Sequence, residues 1–219
     1  MSAAIRLRVV SQILLTNNRL RHKLSGMRLA SLLLVSSAVL FSPAPADAPV
    51  FEVSHADSTI TFAVKASVPI EGKFDKWDAT VTFTSPELST GVLDIKIQAG
   101  SVDTGSGMKD GKLKSKDFFD AEHDPLITFH STKVEQTGPD TVAFDGDFTI
   151  RGVTKQESVT FTVPHERTGV GTIKGTMAFD RKQYGMNSGI PFIKIADSVE
   201  VTVDLSGKRV SGPPVILKQ

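Results

Sequence analysis

Apolar and polar residues alternate one for one in short runs from Ile60 to Leu205. That period of two constrains the fold more than any other feature, because successive side chains of a β-strand point to opposite faces. Ile60, Phe62 and Val64 stand against Thr59, Thr61 and Lys65, and Ala79, Val81 and Phe83 against Thr80, Thr82 and Thr84. Six more runs follow: Leu93, Ile95 and Ile97; Ile127 and Phe129; Val142, Phe144, Phe148 and Ile150; Val159, Phe161 and Val163; Ile173, Met177 and Phe179; and Val199, Val201, Val203 and Leu205. Gly, Pro, Asp and Ser punctuate them, as turns require. Eight antiparallel strands with one apolar face close on themselves and so leave no edge to recruit other chains. The expectation is an all-β, eight-stranded, up-and-down barrel over residues 49–210, followed by a tail, 211–219. The rhythm breaks at Met108–Asp120, where Leu113, Phe118 and Phe119 are spaced for a short helical insertion, 108–120, lying on the barrel. An outer-membrane barrel also alternates, but its strands run about 9 to 11 residues and end in aromatic girdles. One Trp and one Tyr make no girdle, so the apolar face is expected to point inward.

The first 46 residues have a different character. They hold six Lys or Arg and no Asp or Glu. Met27-Arg28 leads into thirteen uncharged residues, Leu29–Phe41, and then into Ala44-Pro45-Ala46-Asp47-Ala48. A basic start, an apolar run too short to span a bilayer and small residues at a cleavage point read as a secretory signal peptide over 1–48. Met27 is an alternative start, and an uncleaved amphipathic anchor is the competing reading. Cleavage near Ala46 or Ala48 would deliver a periplasmic or secreted domain. Beyond residue 46, nineteen basic residues face twenty-four acidic ones, so that domain carries about five negative charges. Such a balance argues against nucleic acid and against anionic membrane surfaces as partners. Without cysteine there is no disulfide, and stability must come from core packing.

Several short sequences recur in an order that resembles a known family. They are Ser58-Thr59-Ile60-Thr61-Phe62, Glu71-Gly72-Lys73-Phe74, Ser101-Val102-Asp103-Thr104-Gly105 and Lys114-Ser115-Lys116-Asp117-Phe118-Phe119-Asp120. Pro125-Leu126-Ile127-Thr128-Phe129-His130-Ser131-Thr132 follows, then Gly146-Asp147-Phe148-Thr149-Ile150-Arg151-Gly152-Val153-Thr154-Lys155, and finally Asp180-Arg181 with Tyr184-Gly185. From Phe51 to Val210 the chain resembles the YceI-like proteins, exported lipocalin-like barrels that hold polyisoprenoid lipids. It departs from them at Asp57, where the family often has His, and in a short link, Ala66–Gly72.

An eight-stranded barrel either fills with its own side chains or holds one elongated ligand. For any single inward aromatic, Phe83 included, core packing is the commoner role. The resemblance implies that part of the inward face lines a lipid tunnel. The candidates are Phe62, Val64, Phe74, Ile95, Ile97, Phe119, Phe129, Phe144, Phe148, Phe161 and Phe179. Arg181, Tyr184 and Arg151 are the candidates for a pyrophosphate or quinone head group, with Lys155 beside them; each cation also reads as an ordinary turn charge.

The expected function is that of a carrier for a quinone or polyprenyl lipid, with no cofactor apart from that ligand. Inner-membrane proteins are its expected transient contacts, and homodimerisation is left open. Two rivals stand beside it: a solid barrel acting as an envelope interaction module, and a lipid hydrolase built on His123 or His130. Catalysis is not expected. His130 and Ser131 are strand neighbours and so point to opposite faces, and neither Gly-x-Ser-x-Gly nor His-Glu-x-x-His occurs. Five scattered histidines give no expected metal site.

Overall fold

Each of the eight alternating runs forms a strand. In the computed structural model, which describes residues 47–163, 169–189 and 192–217, they are β1 (Val50–Ala66), β3 (Trp77–Thr82), β4 (Val92–Gln98) and β6 (Leu126–Gly138). The rest are β7 (Thr141–Ile150), β8 (Val153–Thr162), β9 (Val170–Asp180) and β10 (Ile195–Ser211). Among the described residues the strand count is nevertheless ten, not eight. The two others are β2 (Ile70–Phe74) and β5 (Val102–Asp103), and elements of five and two residues are too short to display a period. The proposed signal segment lies outside the described residues, apart from Asp47 and Ala48.

All ten strands belong to one antiparallel sheet, ordered β3-β4-β6-β7-β8-β9-β10-β1-β2-β5. The sheet curls until β3 comes beside the first half of β1. There Phe51 meets Phe83, with ring centroids 5.8 Å apart, and His55 meets Trp77 at 4.5 Å. The second half of β1 pairs with β2 instead, from Thr61↔Lys73 to Val64↔Ile70. One long strand thus serves both sides of the seam.

Two local features set the curl. Between Ser131 and Lys133 the β6–β7 register shifts by one residue, and at this bulge β6 turns away from β4. The buried Ser131 hydroxyl then accepts the Leu93 amide at 2.8 Å, replacing a ladder bond between the strands. Gly146 sits opposite Ser131, where a Cβ would fall 2.5 Å from the Ser131 Cα and closer still to the His130 carbonyl oxygen. The second feature is a splay. β8 and β9 share only the register Thr160↔Thr176 to Thr162↔Lys174, so Val153–Ser158 has no ladder partner on the β9 side.

Adjacent strands β4 and β6 are joined by a long excursion. It leaves β4, pairs β5 with β2 at the far edge of the sheet and returns through α1 (Gly107–Lys114). The path crosses one end of the barrel and drops Leu113, Phe118 and Phe119 into the interior, all buried. The helix is shorter than the expected 108–120: Ser115 ends it, and Phe118 and Phe119 lie on the turns beyond. The described residues all belong to one compact unit, Ala44–Gln219.

Candidate functional site

The inward positions of each strand fall into three zones. At the end where β1 begins and β10 finishes, they surround a cavity of about 220 Å³ whose walls include Phe51, Val81, Leu93, Val142, Phe161 and Leu205. At the end crossed by α1, they surround a narrower cavity of about 70 Å³, walled by residues such as Ile60, Ile70, Ile127, Ile150 and Val199. Between the two, neither cavity is lined by Ala79, Ile95, Phe129, Val159, Met177 or Val203, although all are buried. These residues form a waist. On β4, Leu93 faces the wide cavity, Ile95 the waist and Ile97 the narrow cavity; on β10, Leu205, Val203 and Val201 repeat the order.

All eleven expected lining residues are buried on the inward face. Phe144 and Phe161 line the wide cavity and meet edge to face at 5.7 Å. Phe62, Val64, Phe74, Ile97, Phe119, Phe148 and Phe179 line the narrow one. Phe62, Phe74 and Phe119 form an aromatic triangle there, with centroids 5.6 to 6.2 Å apart. Ile95 and Phe129 face each other across β4 and β6 and belong to the waist.

The wide cavity is mostly walled by residues that the resemblance did not single out. Phe83 is one, and others come from the tail, where Pro214, Val215 and Leu217 cross the mouth. The tail is held by the Ile216 amide donating to the Pro86 carbonyl at 2.8 Å. It turns at Gly212, whose φ of 77° belongs to the left-handed region and where a Cβ would fall 2.7 Å from the Ala48 carbonyl carbon and closer still to its oxygen. Thus 211–217 is part of the container wall and not a separate appendage.

The head-group candidates are held by the protein itself. Arg181 is 6% exposed and borders the narrow cavity. Its Nε donates to Ala196 O at 3.0 Å, its Nη1 to the Met186 and Ser188 carbonyls, and its Nη2 lies 3.4 Å from Asp197. Those bonds tie the segment after β9 across the barrel end and compensate the burial of a guanidinium. Tyr184, 1% exposed, packs against Phe148 and Phe179 and donates its hydroxyl to Glu157 at 2.8 Å. Burial and the neighbouring Glu157 carboxylate push its pKa upward, so it stays a neutral donor. Because Glu157 lies on the part of β8 that splays from β9, this bond spans the gap. Arg151 occupies a two-residue hairpin turn with Gly152, both at positive φ. Its guanidinium donates to the Lys116 and Gly185 carbonyls, joining that turn to two loops.

The two histidines of the hydrolase reading lie on the outside. His130 Nδ1 is 2.7 Å from Asp94, and His123 Nδ1 is 2.8 Å from Asp120. Ser131 points inward while His130 is exposed, as strand alternation requires. No cluster of three metal-ligating side chains occurs among the described residues.

A single antiparallel sheet curled round apolar cavities, with a loop segment across each end, defines an all-β container of the lipocalin type. The chain belongs to the YceI-like domain family, whose sequence model matches residues 51–207. It is similar to a UPF0312 protein of Pseudomonas syringae pv. tomato, 35% identical over 86 residues that make up 39% of this chain and 45% of that one. A UPF0312 protein of Shewanella denitrificans is 29% identical over 112 residues, 50% of this chain and 59% of the other. The chain therefore spans about half the length of these curated relatives. Among solved structures, BcnA of Burkholderia cenocepacia superposes with a TM-score of 0.64 at 28% identity, covering 71% of this chain and 99% of BcnA. A polyisoprenoid binding domain from Saccharophagus degradans, implicated in plant cell wall breakdown, shares the fold with a TM-score of 0.53 at 14% identity, covering 74% of this chain and 99% of that one.

Proposed function

We propose that this protein is an exported carrier that holds an isoprenoid-type lipid, a quinone or a polyprenyl species, in its apolar interior, and that it acts by binding and not by catalysis. The observation that carries this reading is the wall of the wide cavity. Of the twenty described residues round it, Arg209 alone has a polar side chain. Water gains little in such a space, whereas each lipid methylene buried there contributes about 0.8 kcal/mol before the cost of ordering the tail. A long prenyl chain is insoluble in an aqueous compartment and needs a container of this chemistry to cross it. Family membership and the Saccharophagus domain's description support the same ligand class by analogy. The reading also takes residues 1–48 as a leader removed near Ala46 or Ala48, leaving a periplasmic or secreted domain that meets inner-membrane proteins transiently.

Native mass spectrometry of the protein purified from a bacterial envelope without detergent tests both parts, followed by organic extraction of what accompanies it. The expected spectrum shows a chain beginning near residue 47 or 49 that carries a species of isoprenoid mass. A bare polypeptide that also fails to bind added quinone and polyprenyl lipids would overturn the carrier reading, and a chain retaining residues 1–46 would overturn the export reading.

A further inference from the structure

The inward series of β10 runs Val199, Val201, Val203, Leu205, Gly207 and then Arg209. An arginine thus stands at the last inward position, where every earlier residue is apolar or glycine. Its amide is bonded to the Gly169 carbonyl, and its Nη1 donates to the Gly212 carbonyl at the turn of the tail. Among the described residues its Nε and Nη2 have no hydrogen-bond acceptor, and no carboxylate pairs with it; the neighbouring Lys208 is the residue that pairs with Glu52. The Nε–Nη2 edge of the guanidinium lies beside Gly169, which has a φ of 82° and no side chain to place against it. Nη1 is therefore anchored to the protein, while Nε and Nη2 keep donors that no described residue uses. A half-desolvated cation with unused donors at the rim of an apolar cavity attracts an acidic group far more strongly than it would in bulk water. Arg209 and the tail residues Pro214, Val215 and Leu217 all lie beyond the stretch matched by the family model, residues 51–207.

We propose that Arg209 is the head-group residue of the wide cavity and selects an amphiphile bearing an acidic group, phosphate or carboxylate, at the end of an apolar tail. The assignment rests on the carrier reading given above. In it the tail enters between the C-terminal strap and the start of β9, and the acid stops at the rim, bonded by Nε and Nη2. Arg181, whose donors are occupied by protein carbonyls, plays no part in this selection.

The test compares farnesyl phosphate with farnesol, which share a tail and differ in the head, by calorimetric titration of the full chain and of R209Q and R209K. The wild type is expected to favour the phosphate by about tenfold, the size of one charge-assisted contact. R209Q should lose that preference, its farnesyl phosphate affinity falling to that for farnesol, and R209K should keep part of it. Equal binding of the two ligands by the wild type, or a preference that survives R209Q, overturns the assignment and leaves the carrier reading standing. Failure of both ligands to bind the wild type overturns the two together.

Discussion

At the scale of single residues, the fold depends on positions where no side chain fits. Gly146 carries the β6 bulge, and Gly146→Ala should destabilise the protein by about 2 to 3 kcal/mol through overpacking against β6, read as a lower urea midpoint. The same substitution at Gly111, where nothing lies within 4 Å, provides the control. The outer surface gives a pH-dependent counterpart. His123 has a pKa raised above 6.5, first by its hydrogen bond to Asp120 and then by the charges of Asp120, Glu122 and Asp124. A raised histidine pKa means that the pair's stabilisation is fully present below the unfolded value and fades as pH rises through the folded one. The His123 ring protons, followed by NMR, should titrate above 6.5, and Asp120→Asn should lower the midpoint while tolerating the φ of 51° at that residue. Little of this was legible in the sequence, because a glycine on an inward position and a glycine in a turn are written alike. Arg209 is visible in the sequence as a cation continuing the apolar series of β10, at a position that the resemblance to YceI-like chains does not single out.

At the scale of elements, alternation located eight strands because each was long enough to show its period against a solvated face. It could not find β2 and β5, and it extended α1 to residue 120 because Phe118 and Phe119 keep a helical spacing while lying on turns. Nor does a strand's own pattern report how far it stays paired with its neighbour. Val153–Ser158 reads like the rest of β8, yet it lacks a ladder partner toward β9, and the Tyr184–Glu157 bond bridges that gap. Hydrogen exchange should show this directly. Amides of Val153–Ser158 that point away from β7 should exchange at least tenfold faster than those of Thr160–Thr162, which lie between two partners. Uniform protection along β8 would mean that the splay closes in solution.

At the scale of the whole molecule, the sequence distinguishes inward from outward but not wall from plug, since Phe129 and Phe144 occupy equivalent inward positions and differ only in what faces them. The waist decides how long a tail the interior can accept. Phe129→Ala should remove part of it at a cost of about 3 to 5 kcal/mol in stability. If the protein still folds, it should gain affinity for long isoprenoids relative to short ones, measured with a series of prenols. An unchanged preference would place the ligand entirely within the wide cavity. The seam of the sheet bears on how the molecule comes into being. β1 and β10 pair from Val50↔Ser211 to Ala66↔Ile195, joining the first strand to the last across nearly the whole domain. Such long-range pairing puts refolding in the slow, millisecond-to-second class and leaves the container without a closed wall until its final strand arrives. On the ribosome the wall therefore cannot close until β10 has been synthesised, and through that interval β1 waits without the strand that pairs along most of its length.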